Sequence, residues 1–315
     1  MAKLDLRMRL VGLLTARASV ASMSPERIAA VQRRSLGHNP ITDLVLGGVA
    51  RGVVLRDDTV DGETGRLPVR IHRPIGAVAE PPLVVHFHGG GWTLGSLDQS
   101  DWLCSHIARQ ARAVVVSVDY RLAPQHRWPA AAEDCYAALV ALAGSGKRLG
   151  ADTGRLAVVG DSAGGNLAAV VSLMARDRSG PAIAFQGLAY PATDLTLASP
   201  SIRENASAPV LTERDVHAYR RHYLGDQDPA EPYASPLLAG SHRDLPPALV
   251  QVAEHDPIRD DGLRYAEALR AAGVPVRTTT YVGMPHGYLS FPHLCRSAPQ
   301  ALSELATELR TALGT

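Results

Sequence analysis

The stretch GDSAGG, residues 160–165, sets one serine between a short apolar run and an alanine-rich run. A serine on a sharp strand-to-helix turn is lifted clear of the sheet on strained backbone, and the residues two before and two after it must be small. Gly160 and Gly164 meet that requirement around Ser162. The pattern is typical of a nucleophilic serine. The alternative is a glycine-rich turn that binds a phosphate or nothing, although GDSAGG fits neither G-x-G-x-x-G nor a P-loop.

A serine nucleophile needs a histidine to accept its proton and a carboxylate to orient that histidine. With this kind of turn, the carboxylate and then the histidine follow the serine along the chain. Asp256 follows the apolar run ALVQVAE and His286 follows VRTTTYV, so both side chains emerge where they can reach Ser162. The competing acids and histidines in the same region are Glu254, Asp260, Asp261, His255 and His293.

The glycine run in HFHGGGW, residues 86–92, provides backbone N–H groups that could bind an oxyanion. Backbone donors suit this task because they are fixed before the reaction begins, and successive glycines let the backbone approach a substrate closely. We expect Gly89, Gly90 and Gly91 to belong to the oxyanion hole, with Gly90 and Gly91 as its expected donors. The N–H of Ala163, directly after the serine, is expected to join them.

The two histidines of the same stretch, His86 and His88, have the spacing of residues that share one side of a strand. They could therefore hold a metal ion. No H-x-H-x-D-H continuation and no Cys/His cluster follows them, so we expect no metal. The preferred role of His88 is to hold the glycine loop through hydrogen bonds.

The charge and cysteine content restrict the class of protein. The 315 residues include 32 basic and 31 acidic side chains, a net charge of +1, which lacks the basic excess typical of nucleic-acid binding. The three cysteines, Cys104, Cys135 and Cys295, form no C-x-x-C pair. An odd, sparse set argues against a disulfide framework and favours a reducing compartment, so we expect a cytoplasmic protein without a nucleic-acid partner.

The N-terminus loosely resembles a signal peptide, with a basic start, the apolar stretch LVGLLTA and an A-S-V-A site. The apolar stretch is short, and Arg9 and Arg17 flank it closely. We therefore expect an amphipathic helix that covers part of the protein. No apolar run approaches the ~20 residues that a membrane span requires.

Short β-branched runs alternate with longer alanine-rich runs, which predicts crossover units and a mostly parallel sheet. The apolar central strands should be covered by helices on both faces, and the two more polar first strands should form an antiparallel edge. The predicted strands are residues 52–60, 67–73, 83–89, 113–120, 156–161, 248–254 and 276–282. The predicted helices are residues 101–111, 129–144, 162–177, 260–273 and 299–313.

Two segments, residues 1–45 and 192–246, interrupt this alternation. Ligands of open α/β sheets bind at the carboxyl ends of the strands, so a long insertion there tends to cover the site. We expect N-terminal cap helices in 1–45 and a cap insertion in 192–246, packed together over Ser162. The core would then consist of residues 46–191 and 247–315.

Five stretches together resemble the hormone-sensitive lipase-like branch of the α/β-hydrolase esterases, known in bacteria as family IV. They match its pattern in its order, over roughly the last five-sixths of the chain: HGGGW (88–92), DYRLAPQHRWPAAAEDC (119–135), GDSAGGNLA (160–168), DPIRDDG (256–262) and HGY (286–288). The resemblance implies an α/β-hydrolase fold, with a mostly parallel eight-stranded sheet flanked by helices and a helical cap. It also implies the triad Ser162, Asp256 and His286, with Gly90, Gly91 and Ala163 as the oxyanion hole.

Members of this branch typically hydrolyse short- to medium-chain carboxylic esters through an acyl-enzyme, so the resemblance implies a small ester substrate and no cofactor. A homodimer is a further family-level expectation. An amidase, lactonase or deacetylase with the same triad is an open alternative, as is a non-catalytic receptor on the same fold. The chain departs from the family pattern at Trp92, Gln125 and Tyr288. The candidate pocket residues are Trp92, Asp161, Tyr190, Tyr219 and Tyr288.

Overall fold

A single eight-stranded sheet organises the chain, in the order β1-β2-β4-β3-β5-β6-β7-β8. The computed structural model describes residues 2–15, 19–35, 37–76 and 78–315. The strands are β1 (Val53–Gly62), β2 (Gly65–Pro74), β3 (Pro82–Phe87), β4 (Val114–Val118), β5 (Asp152–Asp161), β6 (Phe185–Ala189), β7 (Ala248–His255) and β8 (Val276–Pro285).

The sheet is parallel from β4 to β8, whereas β2 runs antiparallel to both of its neighbours, β1 and β4. The predicted parallel sheet with an antiparallel edge is therefore confirmed. Strand β6 was not among the predicted strands. Its sequence FQGLA is short and contains Gly187, where an added Cβ would lie 2.5 Å from Leu305 Cδ1. The glycine that obscures the strand pattern makes room for a helix to pack closely.

Helices cover both faces of the sheet, as the apolar strands predict. Leu83 and Val85 of β3 belong to the core cluster that includes α5, α7 and α10, while Val84 faces the cluster that includes α4 and α11. The helices are α1 (Leu6–Thr15), α2 (Pro25–Gln32), α3 (Pro40–Leu46), α4 (Leu97–Ala111), α5 (Ala130–Ala143), α6 (Gly146–Leu149), α7 (Ala163–Asp177), α8 (Ser201–Glu204), α9 (Glu213–Leu224), α10 (Arg259–Ala271) and α11 (Ser297–Leu313).

The N-terminal segment and the insertion after β6 are in direct contact. Val20 and Ile28 form a small buried cluster with Ala218 of α9, and the Ser19 hydroxyl donates to Asp215. Helix α9 begins at a capping box in which Thr212 and Asp215 exchange hydrogen bonds, so Asp215 both fixes the start of the helix and holds the N-terminal segment.

The first N-terminal helix, α1, covers part of the core as predicted, but it is not amphipathic, because its exposed face carries leucines as well as Arg7 and Arg9. In α1, Met8 and Val11 are buried in the core, while Leu6 and Leu10 are exposed. Arg17, which the signal-like pattern includes, lies outside the described residues. Among the residues that the structure describes, none of the helices has the length and apolar character needed to cross a membrane.

Candidate active site

Ser162 occupies the turn between the end of β5 and the start of α7, with φ 55° and ψ −119°. This is strained backbone for a residue with a side chain. The flanking glycines make the turn sterically feasible. A Cβ on Gly160 would lie 2.1 Å from the Gly164 carbonyl oxygen, and one on Gly164 would lie 2.0 Å from the Phe87 carbonyl oxygen. Any larger residue at either position would force the serine out of place.

The three residues predicted as a triad form one hydrogen-bonded chain. The Ser162 hydroxyl donates to His286 Nε2 at 2.8 Å, and His286 Nδ1–H donates to Asp256 Oδ2 at 2.7 Å. Asp256 is fully buried, and its second oxygen, Oδ1, accepts from the Ile258 N–H at 2.9 Å. The three groups follow three different strands, β5, β7 and β8. They meet because these strands all end at the same edge of the parallel sheet.

The competing acids have other partners. Glu254 accepts from the N–H groups of Ala2 and Gly283, which lower its pKa, and it thereby holds the N-terminus against β8. Asp260 accepts from the Ser201 N–H and pairs with Arg259. The carboxylate of Asp261 accepts from the Ser199 hydroxyl. None of the three carboxylates bonds to His286.

The competing histidines also lie away from the serine. His255 Nε2–H donates to the Ala2 carbonyl oxygen at 2.9 Å, and His293 is exposed. Only His286 of these candidates is bonded to Ser162. The geometry therefore favours the pairing that the order along the chain predicts.

The glycine loop after β3 places N–H groups near Ser162, but Gly89 differs from the prediction. The Gly89 N–H donates to Asp161 Oδ1 at 3.1 Å, so it is not available to a substrate. Gly90 and Gly91 have φ values of 117° and 61°, which only glycine adopts readily. Within the described part of the chain, the N–H groups of Gly90, Gly91 and Ala163 have no backbone acceptor. These three donors are the ones left for an oxyanion.

The half-buried Asp161 and the buried His88 brace this loop. Asp161 holds Gly89, and burial raises the pKa of Asp161 to about 6 despite that N–H bond. His88 Nδ1–H donates to the Gly89 carbonyl oxygen at 2.8 Å, and its ring stacks on Tyr120 at 4.2 Å. The Tyr120 hydroxyl in turn donates to the His88 carbonyl oxygen at 2.7 Å. His88 thus contacts the loop in the way that the preferred role requires.

The other histidine of the pair, His86, bonds through Nδ1 to the Ser117 hydroxyl at 3.1 Å. Burial lowers the pKa of His86 to about 3, so its ring is neutral. Across the described residues, no three His, Cys, Asp or Glu side chains are grouped so that they could hold a metal ion.

A cavity of about 220 Å³ opens beside Ser162 and His286. Trp92, Asp161, Tyr190 and Tyr219 line it, as expected of pocket residues. Tyr190 lies edge-on to the His286 ring at 4.8 Å. The segments 192–246 and 256–262 contribute six large apolar residues to the wall, and Leu46, Trp102, Leu103 and Leu289 add further apolar surface. The six residues from these two segments are Leu195, Leu197, Val210, Leu211, Val216 and Ile258.

Tyr288 does not line the cavity, contrary to the expectation. Its ring is fully buried beneath Tyr190, with 5.3 Å between the ring centroids, and also packs against Tyr281. The residue after His286–Gly287 therefore supports the pocket from below. The turn at Gly287, with φ 69°, directs the following side chain into the core.

Three charged residues of the cavity, Asp194, Arg220 and Asp261, were not predicted to line it. For Arg220 the sequence contains a signal, a spacing of i, i+3, i+4 and i+7 that is typical of one helix face. The four residues with this spacing are Val216, Tyr219, Arg220 and Tyr223. Tyr219 of this stripe was predicted to line the pocket, whereas the next residue, Arg220, was not.

A parallel α/β sheet with a serine on a strained turn, bonded to a histidine and a buried carboxylate, is the arrangement of serine hydrolases with the α/β-hydrolase fold. The chain belongs to this family: the model of the α/β-hydrolase fold family matches residues 84–290. The resemblance to the hormone-sensitive lipase-like branch is confirmed.

Named relatives agree with this membership. The esterase LipI of Mycobacterium tuberculosis is 46% identical over 82% of this chain and 82% of its own length. The carboxylesterase NlhH of the same species is 44% identical over 80% of each chain. Among solved structures, an esterase from Pyrobaculum calidifontis superposes with a TM-score of 0.88 at 37% identity, covering 99% of both chains.

Proposed function

We propose that this protein is a serine carboxylesterase that hydrolyses short- to medium-chain carboxylic esters. The observation that carries the proposal is the hydrogen-bonded chain Ser162–His286–Asp256 at the wall of a largely apolar cavity. The relatives named esterase and carboxylesterase support the same reaction. The apolar wall suits the hydrocarbon part of an acyl group.

In the first half of the proposed reaction, Ser162 Oγ attacks the ester carbonyl carbon while His286 Nε2 takes the hydroxyl proton. The carbonyl oxygen becomes an oxyanion that accepts hydrogen bonds from the N–H groups of Gly90, Gly91 and Ala163. The start of α7 at Ala163 adds the positive end of a helix dipole at the same point. His286 then returns the proton to the alcohol oxygen as the carbon–oxygen bond breaks, which leaves an acyl-serine.

In the second half, a water molecule attacks the acyl-serine and gives its proton to His286 Nε2. Collapse of the second tetrahedral intermediate releases the carboxylic acid and returns the proton to Ser162. Asp256 stabilises the imidazolium that forms in both halves, and the Ile258 N–H keeps the carboxylate in place. No cofactor enters either half of this scheme.

Labelling and hydrolysis assays test the proposal together. We expect a fluorophosphonate probe to label the protein at Ser162, because only an activated serine reacts readily. On p-nitrophenyl esters from acetate to dodecanoate, we expect the rate to be highest on the shorter chains, with no loss in a chelator. An unlabelled protein without turnover would favour the receptor alternative, and inhibition by the chelator would favour a metal-dependent hydrolase.

The same assays separate ester hydrolysis from the other acyl transfers. The triad and the N–H donors would suit an amidase, a lactonase or a deacetylase equally, because these reactions share the tetrahedral intermediate. Matched pairs that differ only in the scissile bond, such as a p-nitrophenyl ester and its p-nitroanilide, compare them directly. A preference for the anilide would contradict the carboxylesterase proposal.

We propose the same division of the chain as the sequence predicts, with residues 1–45 and 192–246 as a cap on the core. The contact of Val20 and Ile28 with Ala218 supports it, as do Val210 and Val216 in the cavity wall. A cytoplasmic location is proposed because the three cysteines are buried and unpaired. The homodimer expected of the family is testable by light scattering.

Gly91→Ala should lower kcat by about 10²- to 10³-fold, the loss typical of a displaced oxyanion donor. The added Cβ would lie 2.1 Å from Cδ1 of the Tyr219 ring, on backbone with φ 61°. The measurement is hydrolysis of p-nitrophenyl butyrate by Gly91→Ala in the native and the Tyr219→Ala backgrounds. Because Tyr219→Ala removes the ring, the loss should be smaller in the second background.

Gly52→Ala is the matched control for that variant. Gly52 also has a positive φ of 80°, but an added Cβ there meets no atom within 4 Å, and the residue is exposed. We expect its activity to stay near that of the native protein. An equal loss from Gly91→Ala in both backgrounds would show that the Tyr219 contact is not the cause.

A further inference from the structure

One helix of the insertion presents an arginine to the catalytic cavity. One face of helix α9 lines the cavity through Val216, Tyr219 and Arg220. Tyr223, the next residue of the stripe, is buried and stacks on Trp92 at 4.4 Å. A position between two tyrosines on such a stripe ordinarily holds an apolar side chain. Arginine there is a departure that packing alone does not explain.

Arg220 is half-buried and, among the residues that the structure describes, its guanidinium forms no ion pair or hydrogen bond. By contrast, Arg259 and Arg264 on α10, which are also half-buried, are each paired with a carboxylate at 2.8 Å. A guanidinium has five N–H donors and stays charged at every physiological pH. A carboxylate in the cavity would supply the partner that this guanidinium lacks.

The acids that share this cavity are already occupied. Asp194 pairs with Arg264 at 2.8 Å and also accepts from Thr196. Asp261 accepts from the Ser199 hydroxyl and from the Asp194 N–H, and burial raises its pKa to about 8. Asp161 accepts from the Gly89 N–H. None of these groups bonds to Arg220, so the cavity acids do not pair with the arginine that lines it.

We propose that Arg220 forms an anion subsite of the cavity and that it selects esters carrying a carboxylate in addition to the scissile ester. Half-esters of dicarboxylic acids, in which the acyl part bears the charge, are the simplest such substrates. A planar guanidinium binds a carboxylate through two parallel N–H bonds, which fixes the orientation of the substrate as well as its affinity. This inference rests on the proposed esterase function.

The test compares two esters of nearly equal size, monoethyl glutarate and ethyl pentanoate, by acid release at constant pH. A second pair, 3-acetoxypropanoate and propyl acetate, places the charge on the alcohol side instead. The quantity measured is the ratio of kcat/KM for the charged ester to that for the neutral ester. We expect Arg220→Met to lower this ratio by on the order of 10- to 100-fold for one of the pairs.

Arg221→Met is the matched control, because Arg221 lies on the same helix but is exposed. It should leave the ratio at the native value, and Arg220→Lys should retain part of the preference as a charge without the planar fork. If Arg220→Met is poorly folded, inhibition of the native protein replaces it. Glutarate should then inhibit more strongly than pentanoate, and rising salt should weaken only the glutarate inhibition.

The outcomes separate this subsite from the proposed function. Turnover of neutral esters with a ratio that Arg220→Met leaves unchanged in both pairs would overturn the subsite and leave the esterase proposal intact. The same holds for equal inhibition of the native protein by glutarate and pentanoate. Absence of turnover on all four esters and on p-nitrophenyl butyrate would overturn the esterase proposal, and the subsite with it.

Discussion

Ser162→Ala should reduce kcat on p-nitrophenyl butyrate on the order of 10⁶-fold, to the residual rate that binding and an oxyanion hole can sustain. The variant lacks the oxygen that attacks the ester and gives its proton to His286 Nε2. Alanine keeps the Cβ that the turn already accommodates at φ 55°, so the fold should survive. The measurements are steady-state turnover and the midpoint of thermal unfolding.

Ser172→Ala is the matched control for this result. Ser172 lies on α7, the helix that Ser162 precedes, and its buried hydroxyl donates to the Ala168 carbonyl oxygen at 2.8 Å. The same chemical change at this position removes no group near the ester, so turnover should stay close to native. If Ser162→Ala remained active while binding the ester, another group would have to be the nucleophile, and the proposed mechanism would be wrong.

The sequence was most informative about the residues at the edge of the sheet. Strands β5, β7 and β8 end at one edge because they are parallel neighbours or near neighbours, and this order follows from alternating strands and helices. Asp256 and His286 could therefore be placed near Ser162 from strand patterns alone. The requirement for glycine at positions 160 and 164 could also be predicted from the sequence. It arises within the single turn that contains Ser162.

Positions set by long-range packing were harder to predict. Gly89 looked like a third donor in the loop, but Asp161, which is 72 residues further on, takes its N–H. Tyr288 looked like a pocket residue because it follows His286, yet the left-handed turn at Gly287 sends it beneath Tyr190. The turn at Gly287 is local, but the partners of Gly89 and Tyr288 depend on which segments the fold brings together.

Arg220 is a different case, because its helical stripe could be read from the sequence whereas its lack of a partner could not. A charge on an inward stripe predicts either a buried ion pair or a ligand site, and only the surroundings distinguish the two. The structure supplies that information through Asp194 and Asp261, whose bonds go to Arg264 and Ser199. Sequence patterns therefore fix the chemistry of the ester bond better than they fix the choice of ester.

Asp256→Asn should lower kcat by about 10⁴-fold while leaving the fold intact, because it changes the tautomer of a histidine without changing any volume. The Ile258 N–H donates to Oδ1 of Asp256, so the asparagine carbonyl oxygen must stay on that side. The amide NH₂ then faces His286 Nδ1, which becomes the acceptor. The remaining ring proton of His286 then lies on Nε2. This nitrogen can therefore no longer take the hydroxyl proton of Ser162.

The matched control for this variant is Glu254→Gln, the same change at the other acid near the end of β7. Glu254 binds the N–H groups of Ala2 and Gly283, away from His286, so its loss should alter the thermal midpoint more than turnover. Hydrolysis of p-nitrophenyl butyrate measured on both variants distinguishes them. Near-native turnover by Asp256→Asn would show that Asp256 is not the carboxylate that orients His286. A large loss in Glu254→Gln alone would assign that role to Glu254. The fully buried position of Asp256, with both oxygens already bonded, is the physical reason to expect the opposite.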